Sequence, residues 1–179
     1  MMSGEVFEVD ALTLEVNRVL NLEEKHSDHK GMNHSAIKPT WVTPHPLENK
    51  LFVAGNGSDE IIVIDTKKWN VIDKLKSGKG PYNTDISQDG RYLIATLKAE
   101  GKTQIWDLKK DKSYIVTNSS SVSHGVVISP DSKYAFVSVE GIGGEPGLVD
   151  IIDIKKSKII SSVQIGKQAG GIAFWKTEN

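Results

Sequence analysis

The sequence predicts an all-β fold, and specifically a β-propeller, because one unit recurs about every 40–45 residues. A Ser or Thr in front of a turn recurs with spacings of 44 and 42 residues, at Thr43, Ser87 and Ser129. An Asp that ends an apolar run and leads into a Lys-rich turn recurs with spacings of 42 and 46 residues, at Asp65, Asp107 and Asp153. Two independent positions share one period, and repeats of this length that contain short strands are typical of propeller blades.

The strands of each unit are short apolar runs, rich in β-branched and aromatic residues and bounded by Gly, Asp, Asn or Pro. In the third unit they cover residues 134–139, 148–153 and 159–165. The pairs Asp89-Gly90 and Asp131-Ser132 predict tight turns between consecutive strands. No segment keeps a helical period over three turns, so the predicted class contains strands only.

We therefore predict one propeller region of about four blades, each with four antiparallel strands. The first strands match only the outer half of a blade and the last matches only an innermost strand, so the array is predicted to be partial or open. The predicted parts are a partial blade at 4–22, blades at 38–76, 81–117 and 124–165, and a lone first strand at 171–175.

Composition excludes several function classes. The chain has 179 residues, a formal net charge of −1 and no cysteine. The balanced charge argues against nucleic acid as a partner, and the missing cysteines exclude disulfides, thiolate zinc sites and cysteine nucleophiles. No stretch reaches the roughly 18 apolar residues that a membrane-spanning helix needs.

The longer loops are predicted to share one end of the array. Antiparallel strands reverse direction at each connection, so loops entering an innermost strand lie at the same end as loops between the second and third strands. That end carries residues 22–38, 55–60, 77–83, 98–102, 118–124, 140–147 and 166–170. Because loops carry most binding residues, we predict that this end is the functional one.

Several motifs carry a family resemblance. Residues 129–138 read SPDSKYAFVS and are followed by VDIID at 149–153, while LFVAGN and IIVID occupy 51–56 and 61–65. These motifs resemble the YVTN-type repeat of YncE-like β-propellers, a family related to the cytochrome d1 haem domain. The resemblance covers roughly residues 38–175 and implies a propeller fold with a periplasmic or cell-surface location. The repeat is a packing pattern and implies no particular activity.

Propellers of this family usually have more blades than this chain supplies. The resemblance therefore implies that the chain is the C-terminal part of a longer protein. Two alternatives stay open: a closed ring of four blades, or an open arc that completes itself by self-association through its unpaired strand edges.

A histidine-rich loop is a candidate metal site. Three of the five histidines, His26, His29 and His34, lie within residues 23–34 together with a methionine and several carboxylates. His124 is predicted at the same end of the array. Imidazole is the commonest metal ligand in proteins, and thioether favours copper(I) or haem iron. The alternative interpretation is a solvated polar insertion, since no spacing here matches a defined zinc motif.

The haem hypothesis depends on His124. In haem-binding relatives of the family, histidines at the propeller mouth hold or face the cofactor, and His124 stands at a comparable blade start. The residues at the same repeat position in the two neighbouring units are Tyr82 and Gly170, so the propeller mouth is not rich in histidine. No Cys-x-x-Cys-His motif is present, which excludes a covalently attached haem.

We expect a non-enzymatic propeller that presents its loop-rich end to a protein, a glycan or a small ligand and holds no cofactor. The candidate ligand-binding residues are Tyr82, Asn83, His124, Glu140 and Glu145. The alternative is a redox protein that binds copper, zinc or haem through His26, His29, His34 and His124.

Two further patterns predict structural roles. Large aromatic residues are expected between blades, at Trp41, Trp106 and Trp175, whereas Trp69 lies in a Lys-rich turn and is expected to be exposed. The recurring Asp10, Asp65, Asp107 and Asp153 are expected to bind the backbone amides of turns.

Overall fold

The computed structural model describes residues 3–23 and 35–176, which form antiparallel strands and no helix. The predicted all-β propeller class is therefore confirmed. A two-stranded sheet, here called the half-blade, comes first and is followed by three four-stranded sheets, called blades 1 to 3. The half-blade contains β1 (Glu5–Val9) and β2 (Val16–Asn21).

The three blades contain twelve strands in chain order. Blade 1 is formed by β3 (Pro39–Pro44), β4 (Lys50–Gly55), β5 (Glu60–Asp65) and β6 (Asn70–Lys76). Blade 2 is formed by β7 (Pro81–Ile86), β8 (Tyr92–Leu97), β9 (Lys102–Asp107) and β10 (Lys112–Thr117). Blade 3 is formed by β11 (Val122–Ile128), β12 (Tyr134–Glu140), β13 (Leu148–Asp153) and β14 (Lys158–Gln164).

Each blade is a simple meander whose first strand faces its counterparts in the neighbouring blades. The inner strands β3 and β7 contact each other, and so do β7 and β11. Every pairing within a blade is antiparallel. The blades therefore stand side by side around a common centre, as in a propeller.

Apolar side chains fill the spaces between successive sheets. Ile62 and Ile64 of blade 1 pack against Val6 of the half-blade. Trp106 lies in a second cluster between blades 1 and 2, as predicted, and is 7% exposed. Ile94 of blade 2 belongs to a third cluster that extends into blade 3. Burial of these layers stabilises each pair of neighbouring sheets.

Side-chain hydrogen bonds join the inner strands of adjacent blades. The hydroxyl of Thr43 donates to the backbone oxygen of Thr84 over 2.8 Å. The carboxylate of Asp85 accepts a hydrogen bond from the backbone nitrogen of Ile128 over 2.7 Å. Burial raises the pKa of Asp85, and this amide hydrogen bond opposes the rise. These contacts set the relative position of the blades near the centre.

Polar side chains of the third strand hold the loop that enters the same blade. In blade 2, the oxygen of Gln104 accepts from the backbone nitrogen of Gly78 over 2.9 Å. In blade 3, the fully buried Asp150 accepts from the amide nitrogen of Asn118 over 3.1 Å and from the backbone nitrogen of Ser119 over 2.9 Å. The loop-rich end is therefore tied to the sheets below it.

The recurring aspartates bind turn amides, as predicted, in three of four sheets. Asp10 and Asp65 each accept from the backbone nitrogens two and three residues later, all over 2.8 Å. Asp153 accepts from the backbone nitrogen three residues later over 3.0 Å. Asp107 differs because both its carboxylate oxygens accept from the guanidinium of Arg91, over 3.1 and 2.7 Å.

The turn position that defines the repeat is His45 in blade 1, not Thr43. The backbone nitrogens of His45, Ser87 and Ser129 donate to the backbone oxygen five residues later, so these three are equivalent. In place of a hydroxyl, His45 uses its ring nitrogen Nδ1, which accepts from the backbone nitrogens of Leu47 and Glu48 over 3.1 and 2.9 Å. The hydroxyls of Ser87 and Ser129 instead accept from the backbone nitrogen five residues later, so the side chain at this position stabilises the turn through different amides.

Three of the predictions for tryptophans were wrong. Trp41 is 50% exposed on β3 and Trp175 is 87% exposed, so neither is covered by a neighbouring blade. Trp69 is half-buried against the half-blade core, with the Arg18 guanidinium 4.4 Å from its ring centre. The turn places its ring over the neighbouring sheet instead of in solvent.

The last described segment contains no strand, although the sequence predicts one at 171–175. A strand needs hydrogen bonds from a neighbouring strand, and none of the described strands pairs with this segment.

Candidate functional site

Three of the predicted ligand-binding residues meet at the loop-rich end, together with one lysine. Tyr82 and His124 lie near the starts of β7 and β11, and Glu140 is the last residue of β12. Lys98 follows the last residue of β8. The start of an inner strand and the end of the next strand share one end of an antiparallel sheet, so these four side chains converge. We call them the mouth cluster.

The four side chains form a closed set of contacts. The rings of Tyr82 and His124 meet edge to face, with 4.6 Å between their centres. The Lys98 ammonium lies 4.5 Å from the Tyr82 ring centre and 3.5 Å from Oε1 of Glu140. The same oxygen is 3.4 Å from Nε2 of His124. Each group is therefore held by two others.

Hydroxyl groups of the preceding blades fix the backbone of this cluster. The Thr40 hydroxyl donates to the backbone oxygen of Tyr82 over 2.7 Å. The Thr96 hydroxyl donates to the backbone oxygen of His124, also over 2.7 Å. The neighbouring sheets thus help to position the inner strands that carry the two rings.

The cluster is accessible to solvent and carries no net charge near neutral pH. The side chains of His124, Glu140 and Lys98 are 22%, 27% and 34% exposed. Burial lowers the pKa of His124, the Lys98 ammonium lowers it further, and Glu140 acts in the opposite direction. The imidazole is therefore neutral at pH 7, beside one cation and one anion. The site offers donors and acceptors together with an aromatic ring.

Two predicted binding residues do not join the cluster. Asn83 is buried, and its side-chain oxygen accepts from the backbone nitrogen of Val126 over 3.3 Å, so it joins blades. Glu145 is exposed in the 141–147 loop. Lys98 was missed because lysines are frequent in this chain, although its place after the second strand of a blade was a usable signal.

The metal hypothesis falls mostly outside the described part of the chain. Residues 24–34, which include His26, His29 and His34, are not described. In residues 3–23 and 35–176, no group of three or more His, Cys, Asp or Glu side chains is placed to hold a metal ion. His124 has one carboxylate, Glu140, beside it. Binding of copper, zinc or haem stays a prediction.

Within the described ranges, no helix has the length and apolar character required to cross a membrane.

Solved structures with a similar fold confirm the propeller. Hydrazine synthase of Kuenenia stuttgartiensis matches with a TM-score of 0.76 and 22% identity over 91% of this chain and 44% of that chain. The structure of U3-55K matches with a TM-score of 0.64 and 14% identity over 74% of this chain and 41% of that chain. This chain thus spans less than half the length of either. At these identities the likeness shows the fold alone.

No protein-family model and no curated protein matches the chain.

Proposed function

We propose that this protein is a binding scaffold whose loop-rich end receives a ligand at the mouth cluster. The observation that carries the proposal is the convergence of Tyr82, Lys98, His124 and Glu140 at that end. Hydrogen bonds from Thr40 and Thr96 set the positions of the two rings before any ligand arrives. Preorganised polar groups around an aromatic ring are a common basis of specific binding.

The chemistry of the cluster favours a polar ligand without large net charge. Lys98 and Glu140 compensate each other, so long-range attraction of an ion is weak. A protein loop, a glycan or a small polar molecule that offers a donor beside an acceptor can compete for Glu140 and His124. The partly exposed side chains leave room for such a contact.

The direct test is a glycan array and a panel of small polar molecules, followed by calorimetry on each hit. Glu140→Gln is expected to weaken binding about tenfold, because it removes one charge-assisted hydrogen bond. The matched control is Glu48→Gln at the opposite end. Glu48 likewise lies between a histidine and a lysine, 3.7 Å from His45 and 2.7 Å from Lys50. A hit weakened by the control variant and not by Glu140→Gln would contradict the proposal.

The proposal includes no cofactor. Metal analysis and a visible absorption spectrum of the purified protein test this part. A stoichiometric metal, or a haem band that disappears in His124→Ala, would replace passive binding with the redox alternative. Membership of the YncE-like family and a periplasmic or cell-surface location are also part of the proposal and rest on the sequence resemblance.

A further inference from the structure

The inner strand of blade 1 exposes positions that are buried in blades 2 and 3. Trp41 and Val42 of β3 are 50% and 47% exposed. The matching residues of β7, Asn83 and Thr84, are 8% and 2% exposed, and Val126 of β11 is 4% exposed. The three strands have the same place in the repeat, so the difference must come from what lies beside them.

At the position of Val42, the cover in blades 2 and 3 is the inner strand of the preceding blade. The Thr43 hydroxyl contacts the Thr84 hydroxyl over 2.8 Å, and Asn83 accepts from the backbone nitrogen of Val126 over 3.3 Å. Thus the residue equivalent to Trp41 or Thr43 in one inner strand contacts the residue equivalent to Val42 in the inner strand of the following blade. The described half-blade has no such inner strand. A groove of about 430 Å³ lies there, lined in part by Phe7, Trp41 and Val42.

The segment 171–175 has the opposite deficiency, because it occupies the place of an inner strand and none of the described strands pairs with it. The backbone oxygen of Gly170 accepts from the Ser138 hydroxyl, as that of His124 accepts from Thr96. Ile172 and Phe174 are half-buried, and Ala173 and Trp175 between and beside them are exposed. This alternation is that of a strand packed on one face and open on the other.

We propose that residues 171–175 of a second copy of this chain dock in the groove beside β3. By the register seen at the other boundaries, Gly171 and Ala173 of one copy face Val42 of the other. These small residues meet a strand that presents the large Trp41, so the two surfaces complement each other in volume.

In a dimer with a two-fold axis, the groove beside β3 and the segment 171–175 of each copy are both covered by the other copy. Each copy supplies its segment 171–175 to the other and receives one in return, which closes the assembly. Each shared blade then contains 171–175 from one copy and β1 and β2 from the other. With three complete blades per copy, the ring has eight blades, within the usual range for propellers.

Cysteine cross-linking tests this pairing, because the chain has no cysteine of its own. Val42→Cys and Ala173→Cys are made separately, shown to fold by circular dichroism, mixed and oxidised. A disulfide requires α-carbons within about 7 Å, so only adjacent strands react efficiently. We expect a covalent dimer in the mixture and at least tenfold less in either variant alone. The control mixture replaces Val42→Cys with Leu12→Cys, a 95% exposed turn position away from the groove.

Light scattering of the unmodified protein supplies the second measurement. We expect twice the monomer mass at high concentration, and a shift to monomer in Trp41→Ser and not in Leu12→Ser. A monomer at every concentration, or cross-linking no greater than in the control mixture, overturns the proposal. A double variant Val42→Cys/Ala173→Cys that cross-links only within one chain overturns it too, in favour of a closed four-bladed ring.

Discussion

At the scale of single residues, His124 is balanced between a lysine and a glutamate. Burial and Lys98 favour the neutral imidazole, and Glu140 favours the charged form. Its pKa in the folded protein lies below the usual value of about 6.5. The contribution of the neutral imidazole to stability is therefore complete at pH values above about 6.5 and is lost as the pH falls through the lower pKa of the folded protein.

We expect the neighbours of His124 to move its titration in opposite directions. Lys98→Gln removes a nearby positive charge and should raise the pKa of His124, whereas Glu140→Gln removes a negative charge and should lower it. The measurement is the titration of the imidazole proton signals by NMR. Shifts in the same direction for both variants would show that Lys98 and Glu140 do not act on the His124 imidazole in opposite directions in solution.

A second prediction concerns Asp131 in the turn after β11. The Ser129 hydroxyl and then Lys133 lower the pKa of this carboxyl to about 2. The carboxylate stabilises the fold above its ordinary pKa of about 3.9, and the effect is lost as the pH falls towards 2. Asp131→Asn should therefore reduce the urea midpoint at pH 6 and match the unmodified protein near pH 2. The exposed Glu145→Gln is the control and should change neither value.

At the scale of elements, the outer hairpin turns share one strained position. Four residues after each recurring aspartate the backbone has a positive φ, of 61°, 55°, 52° and 49° at Leu14, Trp69, Asp111 and Ser157. A side chain in this left-handed region costs roughly 1 kcal/mol relative to glycine. The turn geometry thus recurs although the residue that occupies it changes.

Glycine at this position should have opposite effects in two of these turns. Leu14 is 76% exposed, so Leu14→Gly relieves strain and is expected to raise the free energy of unfolding by about 0.5 kcal/mol. Trp69→Gly relieves the same strain but removes the ring beneath Arg18 and against the half-blade core, so a net loss is expected. Urea unfolding measures both. Stabilisation by Trp69→Gly would mean that its packing contributes little.

At the scale of the whole molecule, stability depends on contacts between neighbouring sheets. Each of the three apolar clusters joins one pair of successive sheets, so the array behaves like a short repeat protein. The half-blade has two strands and one neighbouring blade among the described residues, whereas blade 2 has one on each side. The half-blade should therefore open first.

Hydrogen exchange can compare two matched core substitutions. Ile62 and Ile94 are both 0% exposed, but Ile62 lies beneath the half-blade and Ile94 lies between blades 2 and 3. Ile94→Ala is expected to cost about 2–5 kcal/mol and to speed exchange in both blades. Ile62→Ala should speed exchange chiefly in β1 and β2. Equal effects throughout the chain would show that the sheets unfold as one unit.

The sequence alone predicted the period of the repeat, the strands and their turns, because these features depend on residues close together in the chain. Asp10, Asp65 and Asp153 bind amides within three residues, and the tight turns at Gly90 and Ser132 use positive φ angles of 68° and 57°. The common end of Tyr82, His124 and Glu140 also followed from strand direction alone.

Contacts between sheets could not be predicted from local sequence patterns. Tertiary packing decided that Asn83 joins blades, that Lys98 lies over Tyr82, that Trp69 is covered, and that Trp41 and Trp175 are not. The physical reason is distance along the chain. A local pattern specifies which side chains of a strand lie on each of its faces. Whether one face is buried depends on a neighbouring sheet some 42 residues away in the chain or, as proposed for Trp41, on another molecule.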